Sequence, residues 1–106
     1  MSKNRDRGKR MEGFIAKALG GKRTGVLGGE DIFHHIYSIE CKSREKLPKW
    51  FSDFWKQTLA NCEEDKVPLL IIHETNKRHD DDYVVMRLED FTLLCETKPK
   101  KKRRAK

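Results

Sequence analysis

The stretch DIFHHIYSIECKS, residues 31–43, decides the fold of this chain. Apolar and polar residues alternate over 37–42, which is the pattern of a β-strand with one buried face. A shorter strand is predicted over 31–33, and His34 and His35 stand between the two segments. The stretch therefore predicts a hairpin of two strands joined by a turn at the histidines.

The polar face of this hairpin carries an unusual set of charges. Glu40 and Lys42 are two residues apart, so their side chains point to the same side of the strand. Across the hairpin, Asp31 lies opposite the Glu40 region, which places two carboxylates and one ammonium in a small patch. Carboxylates that close repel each other unless a cation lies between them, and oxygen ligands suit hard ions such as Mg²⁺ or Mn²⁺. Glu12, on the first predicted helix, is a candidate third carboxylate.

This patch has a chemical use. A divalent ion held by Asp31 and Glu40 would bind a phosphodiester oxygen and lower the pKa of a bound water. Lys42 would orient or deprotonate that water, or stabilise the charge of the phosphorane. The residues therefore predict hydrolysis of a phosphodiester bond. The competing interpretation is a solvated pair of charges on an exposed strand face, with Asp31 as an ordinary turn residue.

Hydrophobic spacing and turn residues predict the remaining elements. The apolar stripe over 11–19 indicates a helix that ends at Gly20 and Gly21, and a second helix is expected to begin with Ser52 as its N-cap. The continuous apolar run 67–75 predicts a central strand covered on both faces. With a further strand and a short terminal helix, the order is α-β-β-β-α-β-β-α. We expect one α/β domain in which helices flank a mixed central β-sheet.

The formal net charge of this 106-residue chain is +7, and the basic excess lies at its two ends. Residues 1–10 hold five basic residues and one acid, and residues 98–106 hold seven basic residues and no acid, which leaves 11–97 with a net charge of −4. Basic arms suit the nucleic-acid backbone, where each neutralised phosphate releases counterions. We predict a basic N-terminal arm, a central catalytic domain and a basic tail with these bounds. The alternative is that the tail only promotes solubility.

The order of Glu12, Asp31 and the triplet Glu40-Cys41-Lys42 resembles the PD-(D/E)XK nuclease superfamily. Within it, the strings GGEDIF and IECKSR resemble the small archaeal-type and phage Holliday-junction resolvases. The resemblance implies a restriction-endonuclease-like core and an Mg²⁺-dependent endodeoxyribonuclease, with Mn²⁺ as a substitute for Mg²⁺. It also implies a homodimer that resolves four-way DNA junctions by paired symmetric nicks.

The resemblance assigns a role to individual residues. Metal binding is assigned to Asp31, Glu40, the backbone carbonyl of Cys41 and, at a second metal or its water, Glu12. Lys42 would be the catalytic lysine, and Gln57 would support that lysine or the attacking water. The archaeal enzymes usually place a serine in the loop before the aspartate, whereas Thr24 is the only hydroxyl here, which leaves the role of this loop open.

The candidate DNA contacts are basic residues of the arms and of the proposed site, with one threonine and one tryptophan. They are Arg5, Arg7, Lys9, Arg10, Arg23, Thr24, Arg44, Trp50, Lys100, Lys101, Lys102, Arg103 and Arg104. Trp50 is expected either to stack on an unpaired base or to cap the core. Candidate residues for a dimer interface are Phe33, Ile36, Trp50 and Phe51.

Other features favour simpler interpretations. The three cysteines lack C-x-x-C spacing and are expected to be reduced thiols of an intracellular protein, cellular or virus-encoded. The sequence has no run of 18 apolar residues, so no membrane association is expected. His34 and His35 are expected in a solvated turn, His73 as a satisfied core histidine, and residues 80–82 as acids that fan outward from a turn. Two other functions stay open, a general nicking or repair nuclease and a non-catalytic DNA-binding module.

Overall fold

The computed structural model of the chain describes residues 2–24 and 31–97, with side chains over 7–24 and 31–96. The predicted basic tail 98–106 and the loop 25–30 lie outside the described residues. The chain divides into two compact units, residues 1–45 and 46–106. The order of helices and strands is the predicted one, α-β-β-β-α-β-β-α.

The first unit consists of a helix and a three-stranded antiparallel sheet. Its elements are α1 (Ser2–Leu19), β1 (Lys22–Arg23), β2 (Ile32–Phe33) and β3 (Ser38–Ile39). The strands form a meander in the order β1-β2-β3. Ala16 on α1 and Ile32 on β2 are the buried hydrophobic side chains within the described ranges, and Ile32 is fully buried, so the small core of this unit lies between α1 and the sheet.

Helix α1 begins earlier than the apolar stripe predicts and ends where the glycines predict. Residues 2–10, the predicted basic arm, form the first half of the helix. Lysine and arginine are good helix formers, and hydrophobic periodicity cannot detect a helical segment that contains no apolar stripe. At the other end Gly20 has φ 79°, the left-handed conformation that terminates helices, and the Gly21 N–H donates to the carbonyl of Ala16 at 2.8 Å.

The predicted hairpin is confirmed, although its strands are shorter than expected. Ile32 pairs with Ile39 and Phe33 with Ser38, in antiparallel register. The regular strand ends at Ile39, not at residue 42. Beyond it, the N–H of Cys41 donates to the side chain of Asp31. A side chain has therefore taken a bond that a longer ladder would have given to a backbone carbonyl.

The second unit consists of two α-helices and a two-stranded antiparallel sheet. Its elements are α2 (Lys49–Asn61), β4 (Leu70–Ile72), a 3₁₀ turn (His79–Asp81), β5 (Tyr83–Val85) and α3 (Leu88–Thr97). The prediction of Ser52 as N-cap is wrong. Helix α2 begins directly after Pro48, whose carbonyl accepts the N–H groups of Phe51 and Ser52, each at 3.1 Å, so Ser52 already lies in the first turn.

The apolar run 67–75 forms a strand, but it is not covered on both faces as predicted. Only Leu70–Ile72 is a regular strand, and it pairs with β5. One face lies toward α2, whereas Ile71 and its cross-strand partner Val84 are 52% and 62% exposed. The α/β class is therefore confirmed, while the described strands form two antiparallel sheets and not one mixed sheet.

The structure also bears on two simpler expectations. Cys41, Cys62 and Cys95 are present as thiols. Within the described part of the chain, no helix has both the length and the apolar character needed to cross a bilayer.

Candidate functional site

Asp31 is the most firmly held residue of the predicted site. Its N–H donates to the carbonyl of Ile39 at 2.9 Å, and its own carbonyl accepts the backbone N–H of Thr24 at 3.2 Å. The Thr24 hydroxyl donates to the same carbonyl at 3.3 Å. The Oδ2 atom of Asp31 accepts the N–H of Cys41 at 2.7 Å. Backbone and side chain are thus both fixed, so this carboxylate is preorganised. Thr24 supports Asp31 through the main-chain carbonyl of that residue.

Glu40 directly follows Ile39, the last paired residue of β3, and Asp31 directly precedes its partner Ile32, so the two acids flank the same end of the hairpin. The Glu40 Oε1 atom and the Lys42 Nζ atom are 3.9 Å apart, which shows that the two side chains share one side of the chain as expected. Both side chains are mostly exposed, so this weak ion pair contributes little to stability and both groups remain accessible to a substrate.

Glu12 forms an ion pair with Arg23, which is itself one of the predicted DNA contacts. The Nε atom of Arg23 on β1 donates to Glu12 Oε1 on α1 at 3.1 Å, and both side chains are partly buried. The sequence predicts separate roles for these residues, Glu12 at a metal and Arg23 at a phosphate. The structure pairs them with each other, so neither group is free in this conformation.

The pKa of the Cys41 thiol is affected by the charges of all three carboxylates. Its pKa is raised above the ordinary value, first by burial and then by the negative charges of Asp31, Glu12 and Glu40. The three acids come from α1, from the start of β2 and from the segment after β3. The charges of all three acids therefore act on one sulfur atom, and Asp31 also accepts the N–H of Cys41.

The three carboxylates are farther apart than the ligands of a closed metal site. Among the described residues, a single group of three His, Cys, Asp or Glu side chains has its ligand atoms within 4.8 Å of one another, and it lies elsewhere in the chain. Glu12, Asp31 and Glu40 therefore form an open acidic patch. The donor types still fit a hard divalent ion, since Asp31, Glu40 and the carbonyl of Cys41 offer only oxygen. Glu12 would first have to leave Arg23.

A basic surface adjoins the acidic patch. A depression of about 440 Å³ lies beside Cys41 in the first unit. Its lining residues are Arg7, Gly8, Cys41, Lys42, Ser43 and Glu45. Helix α1 thus brings a side chain of the predicted basic arm next to the predicted catalytic lysine. Two cations beside a group of carboxylates can hold a phosphate close to a carboxylate-bound metal.

The other predicted site residues are placed as follows. Arg5 lies in α1, and Lys9, Arg10 and Arg44 are exposed in the first unit. Gln57 is exposed on α2 in the second unit. Trp50 lies in the first turn of α2, is half-exposed, and packs edge-on against Phe51 and Phe54 with ring centroids 5.9 and 5.7 Å away. Lys100, Lys101, Lys102, Arg103 and Arg104 lie outside the described residues.

His34 has a structural role that the sequence analysis missed. It was expected in a solvated turn, but its Nδ1 atom accepts the N–H groups of Ile36 and Tyr37 at 3.1 and 3.3 Å. The Nε2 atom therefore carries the proton and donates it to the carbonyl of Leu19 at 3.0 Å. The neutral ring ties the end of α1 to the hairpin turn. His35 is exposed as expected.

The predictions for His73 and Asp82 are wrong. His73 is not in the core, and Asp82 does not fan outward with its neighbours. His73 Nδ1 lies 2.6 Å from Asp82 Oδ1, and His79 Nδ1 lies 3.1 Å from Asp82 Oδ2. These hydrogen bonds, from His73 first and His79 second, lower the pKa of the Asp82 carboxyl. The signal was available in the sequence, because the β4–β5 hairpin places residue 73 opposite residue 82.

Comparisons of the chain with models of protein families, with curated proteins and with solved structures find no match. The carboxylates of Glu12, Asp31 and Glu40 that act on Cys41, and the depression lined by Arg7 and Lys42 beside it, are the main functional features of the first unit.

Proposed function

We propose that this chain is a metal-dependent, structure-selective DNA endonuclease that resolves four-way junctions by paired symmetric nicks. A restriction-endonuclease-like core and an intracellular DNA substrate are part of the proposal. One observation carries it. Asp31 and Glu40 flank one end of the first hairpin, the Cys41 N–H donates to Asp31 Oδ2, and the charges of Asp31, Glu12 and Glu40 together raise the pKa of the Cys41 thiol. Negative charges gathered in this way, beside exposed cations, are the environment that a metal-assisted phosphodiester hydrolase needs.

The residues of the patch have distinct tasks in this proposal. Asp31 and Glu40, with the carbonyl of Cys41, would hold Mg²⁺ or Mn²⁺, which supplies charge stabilisation and a more acidic water at the phosphate. Because Asp31 is fixed by Cys41 and Thr24, it offers a carboxylate that need not reorganise on binding. The exposed ammonium of Lys42 is placed to orient a water or to neutralise charge that develops on the phosphate.

The surrounding charges support a DNA substrate. Arg7 and Lys42 line the depression beside the patch, and the two ends of the chain carry half of its lysine and arginine residues. Such contacts bind the phosphate backbone without reading sequence, which suits an enzyme that selects branched structure. Two symmetric cuts need two sites, and a C₂ homodimer supplies them. Phe33, Ile36 and Trp50, three of the expected interface residues, are each more than half-exposed, whereas Phe51 is partly buried.

The test is a cleavage assay with the full chain on a four-way junction and on a linear duplex of the same sequence. We expect Mg²⁺-dependent cleavage of the junction and loss of cleavage by roughly a hundredfold or more in Asp31→Asn and in Glu40→Gln, the scale on which one preorganised electrostatic group acts. Junction binding should persist, because removing negative charge does not oppose an anionic substrate. Asparagine keeps an oxygen that accepts the Cys41 N–H, so the hairpin is retained.

Asp53→Asn is the matched control, because Asp53 is an exposed carboxylate that pairs only with Lys49 one helical turn away among the described contacts. It should cleave like the wild type. Full cleavage by either hairpin variant would overturn the assignment of the site. Equal cleavage of junction and duplex would favour the general nicking nuclease, as would singly nicked product that accumulates on a supercoiled cruciform.

One observation favours the non-catalytic DNA-binding module. Glu12 is neutralised by Arg23, and the three carboxylates do not reach ligating distance of one another. A module of this kind would bind junctions equally well with or without Asp31→Asn, and it would release no cleaved product in Mg²⁺ or Mn²⁺. The same assay therefore separates it from the nuclease.

A further inference from the structure

The loop between β4 and β5 holds a group of side chains that the proposed nuclease function does not use. His73, His79 and Asp82, here called the His–Asp cluster, offer one ligand atom each, and these atoms lie within 4.8 Å of one another. No other group of three or more His, Cys, Asp or Glu side chains in the described ranges is so close. All three residues belong to the second unit and come from a single hairpin.

The backbone holds the cluster in place. The pairing of Ile72 with Tyr83 puts His73 opposite Asp82 at the mouth of the hairpin. The 3₁₀ turn His79–Asp81 then folds His79 back, and the Asp82 N–H donates to the His79 carbonyl at 3.0 Å. The two imidazole rings lie against each other, with centroids 4.2 Å apart and planes 33° apart. The three side chains therefore need little rearrangement to act on one ligand, which lowers the entropic cost of binding.

The chemistry of the donors points to a particular class of ion. Two imidazole nitrogens and one carboxylate oxygen form a donor set that Zn²⁺ and its neighbours in the transition series prefer, whereas Mg²⁺ prefers oxygen alone. The Nδ1 atom of each ring faces an oxygen of Asp82. An ion at this point would replace the protons of the two hydrogen bonds, and water would complete the coordination.

Charge and access agree with this assignment. Asp80, Asp81 and Glu74 add negative charge to the same loop, against Lys77 and Arg78. Arg78 is already paired with Asp80 at 2.9 Å, so it does not neutralise Asp82. The His79 side chain is 82% exposed and that of Asp82 only 15%. An ion can therefore reach the cluster from solvent and find a partly desolvated carboxylate beneath the imidazole rings.

We propose that His73, His79 and Asp82 form a binding site for one divalent transition-metal ion of the Zn²⁺ class, which pins the β4–β5 hairpin. This site uses none of the residues of the proposed nuclease site and stands whether or not the chain cuts DNA. The simpler alternative is a turn held by two hydrogen bonds to Asp82. The two differ in one respect, since only a metal site gains stability from added ion.

The experiment is calorimetric titration of the full chain with ZnCl₂ in excess Mg²⁺, with the cysteines kept reduced by a non-thiol reductant. We expect one equivalent of Zn²⁺ to bind to the wild type and the affinity to fall at least tenfold in His79→Asn and in Asp82→Asn. His79→Asn is the decisive variant, because an exposed side chain can be replaced without disturbing the fold. His35→Asn and Cys62→Ser are the controls, for an exposed histidine and for a thiol that could bind zinc, and both should bind like the wild type.

Two further readouts identify the ligands directly. Zn²⁺ should raise the thermal unfolding midpoint of the wild type by mass action, and this rise should disappear in His79→Asn. In imidazole NMR spectra, the ring nitrogens of His73 and His79 should shift with the first equivalent, while those of His34 and His35 should not. Undetectable Zn²⁺ binding by the wild type, unchanged affinity in His79→Asn, or affinity lost only in Cys62→Ser would each overturn the proposal.

Discussion

The two hairpins of this molecule use the same geometry with opposite electrostatic results. In the first, Asp31 and Glu40 flank the paired residues Ile32 and Ile39, and in the second His73 and Asp82 flank the paired residues Ile72 and Tyr83. Two carboxylates cannot satisfy each other, so Asp31 accepts the backbone N–H of Cys41, while Glu40 lies 3.9 Å from Lys42 and Glu12 pairs with Arg23. A histidine and an aspartate do satisfy each other. An internally paired group can therefore hold a turn without a ligand, and here the same two imidazole rings and carboxylate are also the donors of the metal site proposed above.

The surroundings of the two hairpins differ as well. The first is packed against a helix through Ile32, and Gly21 lies so close to it that an added Cβ would stand 2.7 Å from both Ile32 Cγ2 and the Phe33 carbonyl oxygen. The second hairpin leaves Ile71 and Val84 exposed on one face. The carboxylate pair thus sits on the better supported hairpin, which is where a preorganised catalytic group is expected.

The largest effect should come from filling the space at Gly21. We expect Gly21→Ala to lower the free energy of unfolding by about 1–3 kcal/mol, the usual cost of overpacking, because neither Ile32 nor the backbone of Phe33 can move away cheaply. Chemical denaturation of the full chain, with cleavage measured alongside, checks this. Cleavage should fall together with stability, since the strand that displaces is the one that carries Asp31.

Gly13→Ala is the matched control for this substitution. Gly13 lies inside α1 with nothing within 4 Å of an added Cβ, so alanine should stabilise the helix by roughly 0.5–1 kcal/mol. If Gly21→Ala were as stable as Gly13→Ala, the first hairpin would not be tightly seated on α1, and the contrast with the second hairpin would be lost.

Local pattern predicts the element order and the hairpins of this chain, because hydrophobic spacing and turn residues act within a few positions. It misses whatever depends on one specific hydrogen bond. The strand predicted over 37–42 ends at Ile39 since the Asp31 side chain takes the next N–H. The pairing of Glu12 with Arg23 depends on how α1 meets β1, which no local pattern contains.

The candidate sites could be predicted only where they depend on the local hairpin. The predicted hairpin brings Asp31 and Glu40 to one end, which is why the sequence suggests an acidic patch there. Applying the same register to residues 73 and 82 would have predicted the contact of His73 with Asp82. The hydrogen bond between His79 and Asp82 depends on the 3₁₀ turn. The sequence does not show this turn, because a run of three aspartates by itself favours a solvated turn. Pairing between distant strands is also absent from local pattern, so one mixed sheet could be expected where the described strands form two.

A smaller effect should separate the second hairpin from the first when the pH is lowered. The pKa of Asp82 is depressed below the ordinary value of 3.8 by His73 and His79. A depressed carboxyl pKa stabilises the fold fully above the ordinary value, and this contribution is lost as the pH falls through the lower, folded-state pKa. In a chelating, metal-free buffer, Asp82→Asn should therefore be less stable than the wild type near neutral pH.

The difference between the two proteins should shrink as the pH falls below about 3.8, which thermal unfolding at a series of pH values would show. Asp80→Asn is the control, because Asp80 is exposed and pairs with Arg78 instead of a histidine. A stability difference that stays constant down to the lowest pH would mean that Asp82 is not ionised against the two rings, and that the second hairpin is not internally satisfied.

The smallest effect should be seen at the Cys41 thiol, which reports the charge of the first hairpin. Its pKa is raised by burial and by Asp31, Glu12 and Glu40, so less thiolate is present at a given pH and alkylation is slowed. Removing one negative charge lowers the thiol pKa and should speed alkylation, by less than about tenfold because one pKa unit is a tenfold change in thiolate. We expect Asp31→Asn to act most strongly and Glu40→Gln least, in the order of their influence on the sulfur.

The rate at Cys41 is measured by peptide mass spectrometry after brief treatment with iodoacetamide, with Glu63→Gln as the control carboxylate from the second unit. Mg²⁺ bound between the carboxylates would neutralise the same charges and should also accelerate the wild type, but not the Asp31→Asn variant. If the alkylation rate stayed the same after substitution of Asp31, Glu12 or Glu40, these carboxylates would not act on Cys41. The first hairpin would then carry no more uncompensated charge than the second.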